Sequence, residues 1–193
     1  MSKNQLFPVF LKIEHLQILL VGGGNVGLEK LSALLNNCET ASVEVVAGYF
    51  HPDLVKLVEP VPNVKLIHRH FEWTDLDGKD IVILATDDHE LHKEIKVETR
   101  KRNLLTNVAD TPALCDFYLG SIVQKGDLKI GISTNGKSPT FAKRFREFLE
   151  DLLPDDLQAL LENLHTYRSK LKGDFEEKVR KLNDLTNSVM SKH

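Results

Sequence analysis

Gly22, Gly24 and Gly27 close an apolar run, Leu16–Val21, and open a stretch with helical periodicity. Glycines at this spacing between a strand and a helix form a cradle for the pyrophosphate of a dinucleotide. Gly22 permits the tight turn, Gly24 lets backbone N–H groups approach the phosphates, and Gly27 lets the helix pack close to the strand. The N-terminus of that helix adds a partial positive charge. Gly22, Gly23, Gly24, Asn25 and Val26 are therefore the first candidate cofactor-binding residues. The competing reading is a glycine-rich turn that holds no ligand.

In an open parallel sheet, ligands bind beyond the carboxyl ends of the strands, and three further strand ends carry distinctive residues. The second ends in Val46-Ala47-Gly48-Tyr49, where small neutral residues replace the acid that commonly binds the adenosine ribose. Glu44 lies too early in that strand, which leaves the backbone of Gly48 and Tyr49 for ribose or adenine. No arginine stands at this end to receive a 2′-phosphate, which favours NAD over NADP. The fourth strand ends in Ala85-Thr86-Asp87-Asp88, which reads as a helix N-cap or as Thr86 and Asp87 bordering the nicotinamide and phosphates. The fifth ends in Asn107-Val108-Ala109-Asp110. Asn107 joins the cofactor set. Asp110, ahead of Thr111-Pro112, either caps a turn or is the catalytic carboxylate, a general base beside the nicotinamide.

Farther along, Ser133-Thr134-Asn135-Gly136-Lys137-Ser138 precedes Pro139, and Ser138 and Pro139 suit the N-cap and first position of a helix. With Lys143, Arg144 and Arg146 nearby, this loop suits a ligand carrying several carboxylates, or is a capped helix with a solvated basic face. His68-x-His70 and the pair His89 and His92 read as solvated surface and not as metal ligands, because no carboxylate or thiolate converges on them. Cys38 and Cys115 read as small buried apolar residues.

The elements that must position these residues follow from hydrophobic periodicity. Strands are expected at Leu16–Val21, Ser42–Ala47, Val64–His68, Asp80–Ala85 and Leu104–Val108, alternating with helices after the glycines, at His51–Val58 and at Asp88–Arg102. That alternation predicts an α/β, Rossmann-like parallel-sheet domain over residues 1–112. A hairpin then replaces the helical crossovers: Phe117–Gln124 and Leu128–Ser133 flank Lys125-Gly126-Asp127. A helix with Phe141, Phe145, Phe148 and Leu149 on one face follows, so residues 113–150 form a small α+β segment. It is too small to bury a core alone, which points to packing against a partner subunit. Residues 151–193 are charged and helical, with a break expected at Gly173. The 193 residues are 41% hydrophobic and 27% charged, as in a globular protein, and the net charge of −3 argues against nucleic-acid binding. The sequence lacks the ~18-residue apolar run of a membrane span, and its N-terminus does not resemble a signal peptide, so a cytoplasmic location is expected.

Four stretches, in order and at appropriate spacing, resemble the precorrin-2 dehydrogenase family of sirohaem synthesis. They are Val21-Gly22-Gly23-Gly24-Asn25-Val26, Ala85-Thr86-Asp87-Asp88, Asn107-Val108-Ala109-Asp110 and Ile132-Ser133-Thr134-Asn135-Gly136-Lys137-Ser138-Pro139. The opening Leu6-Phe7-Pro8-Val9-Phe10-Leu11 is similar as well, and the likeness covers about residues 5–165. It implies NAD-dependent oxidation of precorrin-2 to sirohydrochlorin, in some members followed by ferrous iron insertion at the same site, and a homodimer whose central segment dimerises. It also implies cofactor contacts at Asn25, Val26, Gly48 and Tyr49, a catalytic role for Asp110, and tetrapyrrole binding by Ser133–Pro139. Gly27 stands where alanine is usual in the family, a mild change by size alone. Asn135 stands where a glycine is common and Thr134 where serine is common. With no methyltransferase domain in the chain, the resemblance is to the standalone form. A different class of reading, an NAD-sensing dimeric binding module, accounts for the glycine turn but not for the Ser133–Pro139 loop.

Overall fold

Five short strands assemble in the order β3-β2-β1-β4-β5, all parallel. They are β1 (Gln17–Gly23), β2 (Ser42–Phe50), β3 (Val64–His68), β4 (Ile81–Leu84) and β5 (Leu105–Val108). The helices between them are α1 (Asn25–Asn37), α2 (Pro52–Val58) and α3 (His89–Lys101). The computed structural model of the chain describes residues 4–171 and 175–190. These divide into two compact units: Gln5–Leu119 is one, and the described residues from Gly120 onward belong to the other.

The continuous apolar run of β1 is explained by cover on both faces. Ile18 and Leu20 point into a cluster with Leu31, Leu34 and Leu35 of α1, together with Val43, Val45, Leu54, Ile81 and Ile83. Leu19 and Val21, one residue out of phase, point into a second cluster with Val46, Leu76, Val82, Leu84, Ile95 and Val108. Strand side chains alternate between faces, so one apolar run supplies two cores. The order 3-2-1-4-5 reverses direction at β1, which brings the ends of β1 and β4 together where α1 begins.

Two expected boundaries differ by three residues or more. The second strand runs on to Phe50, three residues past Ala47, and the strand expected from Phe117 begins only at Ser121. Phe117 and Leu119 instead pack against the first cluster, and the Phe117 carbonyl accepts from Asn107 Nδ2 at 2.9 Å. Those contacts hold the segment to the parallel-sheet unit.

In the second unit, β6 (Ser121–Lys125) and β7 (Leu128–Ile132) form an antiparallel hairpin. Gly126 adopts φ +56° at its turn, and Asp127 N–H donates to Gln158 Oε1 at 2.8 Å. The helices are α4 (Pro139–Leu152), α5 (Leu157–Lys170) and α6 (Phe175–Met190). Lys125 Nζ ties the hairpin to the α4–α5 corner by donating to Leu153 O and Asp155 Oδ1 at 2.8 and 2.7 Å. The break expected at Gly173 lies outside the described residues. No helix among the described residues is long and apolar enough to cross a membrane.

The closeness of α1 to β1 depends on Gly27. A Cβ at that position would overlap the Gly22 carbonyl oxygen and lie 2.9 Å from its carbon. The change from alanine that looks mild by size is therefore not mild in this backbone. Gly27→Ala should push α1 outward and lower the unfolding free energy by about 1–3 kcal/mol, the range for overpacking a tight contact. Denaturant unfolding checks this, and an unchanged midpoint contradicts it.

Candidate functional site

The glycine turn sits at the carboxyl end of β1. Gly22 has φ +115°, and a side chain there would strike the Ala85 carbonyl at the end of β4. A side chain at Gly23 would strike the Tyr49 carbonyl and approach Ala47 Cβ to 3.0 Å. Gly22, Gly23 and Gly27 are thus required by the protein's own packing. Gly24 is different. It has φ −79° and ψ −161°, a conformation open to any L-residue, and its Cβ position has nothing within 4 Å among the described residues. No internal contact asks for glycine there.

Gly24 is also the N-cap of α1, and it supplies no side-chain cap. The α1 first turn carries no acidic residue, so nothing there offsets the positive end of the helix dipole. Asn25 is exposed beside this end, and Val26 packs partly against the first core cluster. An open helix N-terminus, next to a backbone that lacks a Cβ only on the solvent side, fits a pyrophosphate.

At the end of β2 the chain bulges. Val21 pairs with Val46 and Gly23 with Phe50, so β2 carries two more residues than β1 between these pairs. The bulge exposes Gly48 and Tyr49. It is held from β3, where His68 Nε2 donates to the Gly48 carbonyl at 2.8 Å. Glu44 is engaged with Lys79 at 2.7 Å and Lys65 at 3.5 Å, and its hydrogen bond to Lys79 holds its carboxyl below the usual range. The Arg69 guanidinium, just past β3, is committed to Asp75 through both terminal nitrogens.

At the end of β4, the Thr86 backbone nitrogen lies 3.1 Å from the position a Gly22 Cβ would take, directly beside the glycine turn. Asp88 is the N-cap of α3, accepting from Leu91 N–H at 3.0 Å, while Asp87 is exposed. The Thr86 hydroxyl is not part of that cap. It accepts from Asp88 N–H at 3.4 Å and lies 2.8 Å from His92 Nε2. His92 is 1% exposed and not on the solvated surface expected for it. It faces inward because it shares a helical face with Ile95 and Thr99. Burial, reinforced by His89, lowers its pKa and so favours the neutral ring.

At the end of β5, Asp110 is exposed and has φ +55°, a left-handed conformation that aspartate tolerates better than most residues. Ala109 N–H, which donates to Leu84 O at 2.9 Å, fixes the chain before it. Cys115 fixes the chain after it: its sulfur accepts from Val108 N–H and donates to Val108 O, both at 3.2 Å. Cys115 is therefore a half-buried polar clasp and not merely an apolar filler; burial pushes its thiol pKa up. Asn107 is buried and spends its amide on the Phe117 carbonyl, anchoring the returning chain.

In the second unit, Ser133–Ser138 forms a loop shaped by its own hydroxyls. Ser133 Oγ accepts from Asn135 N–H, Thr134 Oγ1 from Ser138 N–H and Ser138 Oγ from Phe141 N–H, each at 3.2 Å. Ser138 is the N-cap of α4, as its sequence position predicts. Asn135 and Gly136 have φ +54° and +73°. Asparagine is a serviceable replacement for glycine there because it tolerates the left-handed region. Lys137, Lys143 and Arg144 are exposed, whereas Arg146 is paired with Glu150 at 3.6 Å. The residues that sequence reading missed are His68, His92 and Cys115 in this positioning role. Strand order could have indicated His68, and the inward face of α3 His92; Cys115 gives no signal before its loop is folded.

Three comparisons bear on this geometry. Residues 9–121 match the family described as "Putative NAD(P)-binding", and residues 125–152 match "Sirohaem biosynthesis protein central". A siroheme synthase of Psychrobacter arcticus is 35% identical over 174 residues, covering 90% of this chain and 30% of its own length. A siroheme synthase of Pseudoalteromonas translucida is 36% identical over 172 residues, covering 89% of this chain and 36% of its own. The chain thus spans about a third of the length of these curated relatives. Among solved structures, "SirC, precorrin-2 dehydrogenase" has the same fold, with a TM-score of 0.74, 23% identity, and coverage of 93% of this chain and 89% of that one. With more than half of its residues matched by one family model and an open glycine-turn cradle at the expected strand end, the chain belongs to that NAD(P)-binding family.

Proposed function

We propose that this chain catalyses the NAD-dependent oxidation of precorrin-2 to sirohydrochlorin in sirohaem biosynthesis. The observation that carries the cofactor half is Gly24, a glycine that no contact among the described residues requires. The names of the relatives, siroheme synthase and precorrin-2 dehydrogenase, support the substrate half. NAD, when bound, supplies a hydride acceptor.

The chain's own residues do the rest. The N–H groups of Gly24, Asn25 and Val26 hold the pyrophosphate, with Gly22 and Gly23 shaping their turn. Gly48 and Tyr49 receive the adenosine end. Among the described residues the bulge offers no free guanidinium for a 2′-phosphate, since Arg69 is engaged with Asp75, which supports NAD over NADP. Thr86 and Asp87 border the phosphates and nicotinamide, and Asn107 braces the loop that carries Asp110. Asp110 takes the proton released as the hydride departs, a role that suits an exposed carboxylate held in a fixed backbone conformation. The tetrapyrrole carries several carboxylates, and Ser133, Thr134, Asn135, Gly136, Lys137 and Ser138 provide cations, hydroxyls and a helix N-terminus to bind them. A cytoplasmic location belongs to the same reading. Ferrous iron, if inserted afterwards, is a second substrate whose entry requires pyrrole protons to leave, and Asp110 would take them.

An anaerobic assay with precorrin-2 and NAD, followed by ferrous iron, separates the two steps by absorbance. Catalysed NADH formation is expected, and Asp110→Asn should lower kcat/KM by roughly 100- to 10,000-fold with the fold retained. Unchanged turnover in that variant contradicts its role, and NAD binding without oxidation favours the binding-module reading. Metallation no faster than the spontaneous rate removes the chelatase step alone.

A homodimer is part of this proposal. On α4, Phe141, Phe145, Phe148 and Leu152 form an exposed row, with successive phenylalanine rings stacked at 5.8 and 6.2 Å. An apolar row of this kind suits a second copy of the chain. Sedimentation should give a dimer that Phe145→Glu weakens; a monomeric parent chain contradicts the assignment.

A further inference from the structure

We infer that His92 is a positioning residue that fixes the Thr86 hydroxyl as a hydrogen-bond donor toward the bound dinucleotide; this rests on the dinucleotide reading above. The His92 side chain reaches the glycine turn through its hydrogen bond to Thr86. Its Nε2 lies 2.8 Å from Thr86 Oγ1, and its Nδ1 is buried with no hydrogen-bond partner among the described residues. The ring is 1% exposed. A neutral imidazole carries one N–H, and its location decides what Thr86 can do.

With the proton on Nδ1, a buried N–H donor would be left unpaired while Thr86 spent its own proton on Nε2. With the proton on Nε2, the unpaired atom is only an acceptor. Orphaned buried N–H groups are rarer than under-used acceptors, so the Nε2–H tautomer is favoured. Nε2–H then donates to Thr86 Oγ1, which also accepts from Asp88 N–H at 3.4 Å. Both lone pairs of the hydroxyl are taken, and its proton is left for an acceptor outside the protein. Because the Thr86 backbone lies against Gly22, that acceptor is an oxygen of the dinucleotide held at the turn. The opposite tautomer would leave Thr86 able only to accept there, and dinucleotide phosphates and carbonyls donate nothing.

Two measurements on the full chain test this. Nitrogen-15 NMR of histidine-labelled protein without NAD should show His92 with a protonated Nε2 and a bare Nδ1; the reverse pattern overturns the proposal. Calorimetric titration with NAD should then show Thr86→Val and His92→Phe each weakening binding about 3- to 10-fold, the scale of one hydrogen bond. The double variant should be no weaker than Thr86→Val alone, because His92 acts only through Thr86. His92→Gln, whose amide N–H can occupy the Nε2 position, should restore affinity, which a purely space-filling role would not predict. It also decides the matter if His92→Phe does not fold. Multiplying losses in the double variant, or full affinity in His92→Phe, overturns this proposal alone. A parent chain that binds no NAD overturns the dinucleotide reading and this proposal with it.

Discussion

The close approach of α1 to β1 at the Gly27–Gly22 contact sets the geometry of everything around it. It determines how far the first turn of the helix stands from the sheet, and hence where its free N–H groups and positive dipole end lie. The same turn depends on β4, because Gly22 has no room for a side chain beside the Ala85 carbonyl. One backbone crossing thus fixes the glycine turn and places Thr86 next to it. The approach is tight: the backbone excludes even the single methyl group of alanine at Gly27.

Around that crossing, the candidate site is built largely of backbone held by side chains that need not touch the ligand. His68 holds the β2 bulge by its carbonyl, His92 holds Thr86, Cys115 clasps the Asp110 turn and Asn107 anchors the returning chain. His92, Cys115 and Asn107 use polar groups on partly or wholly buried side chains, where an unpaired group would be costly, whereas His68 is exposed. The strand ends are therefore fixed by a shell of internal hydrogen bonds before any ligand arrives, which favours tight positioning of a reacting centre.

Much of this was legible in the sequence because it follows from local rules. The two-sided burial of Leu16–Val21, the N-caps at Asp88 and Ser138, and Pro52 in the first turn of α2 all act within one element. The missed features depend on neighbours distant in sequence. The extension of β2 to Phe50 arises from a bulge set by pairing with Gly23. The strand expected from Phe117 is replaced by packing onto the parallel-sheet core, which the apolar pattern cannot distinguish from a hairpin strand. His92 looks like a surface residue in a charged helix until its face is known. The glycine motif itself hides a distinction that only coordinates reveal: Gly22, Gly23 and Gly27 serve the fold, whereas no contact among the described residues requires Gly24.

That distinction is the central claim, and Gly24→Val tests it most directly. NAD affinity and unfolding free energy are measured on the same variant. The backbone at Gly24 accepts a side chain and its Cβ direction is open, so stability should fall by no more than about 1 kcal/mol, the scale of a poorer N-cap, while NAD binding falls by tenfold or more. Retained NAD affinity, or a loss of stability large enough to explain weakened binding, would contradict the account.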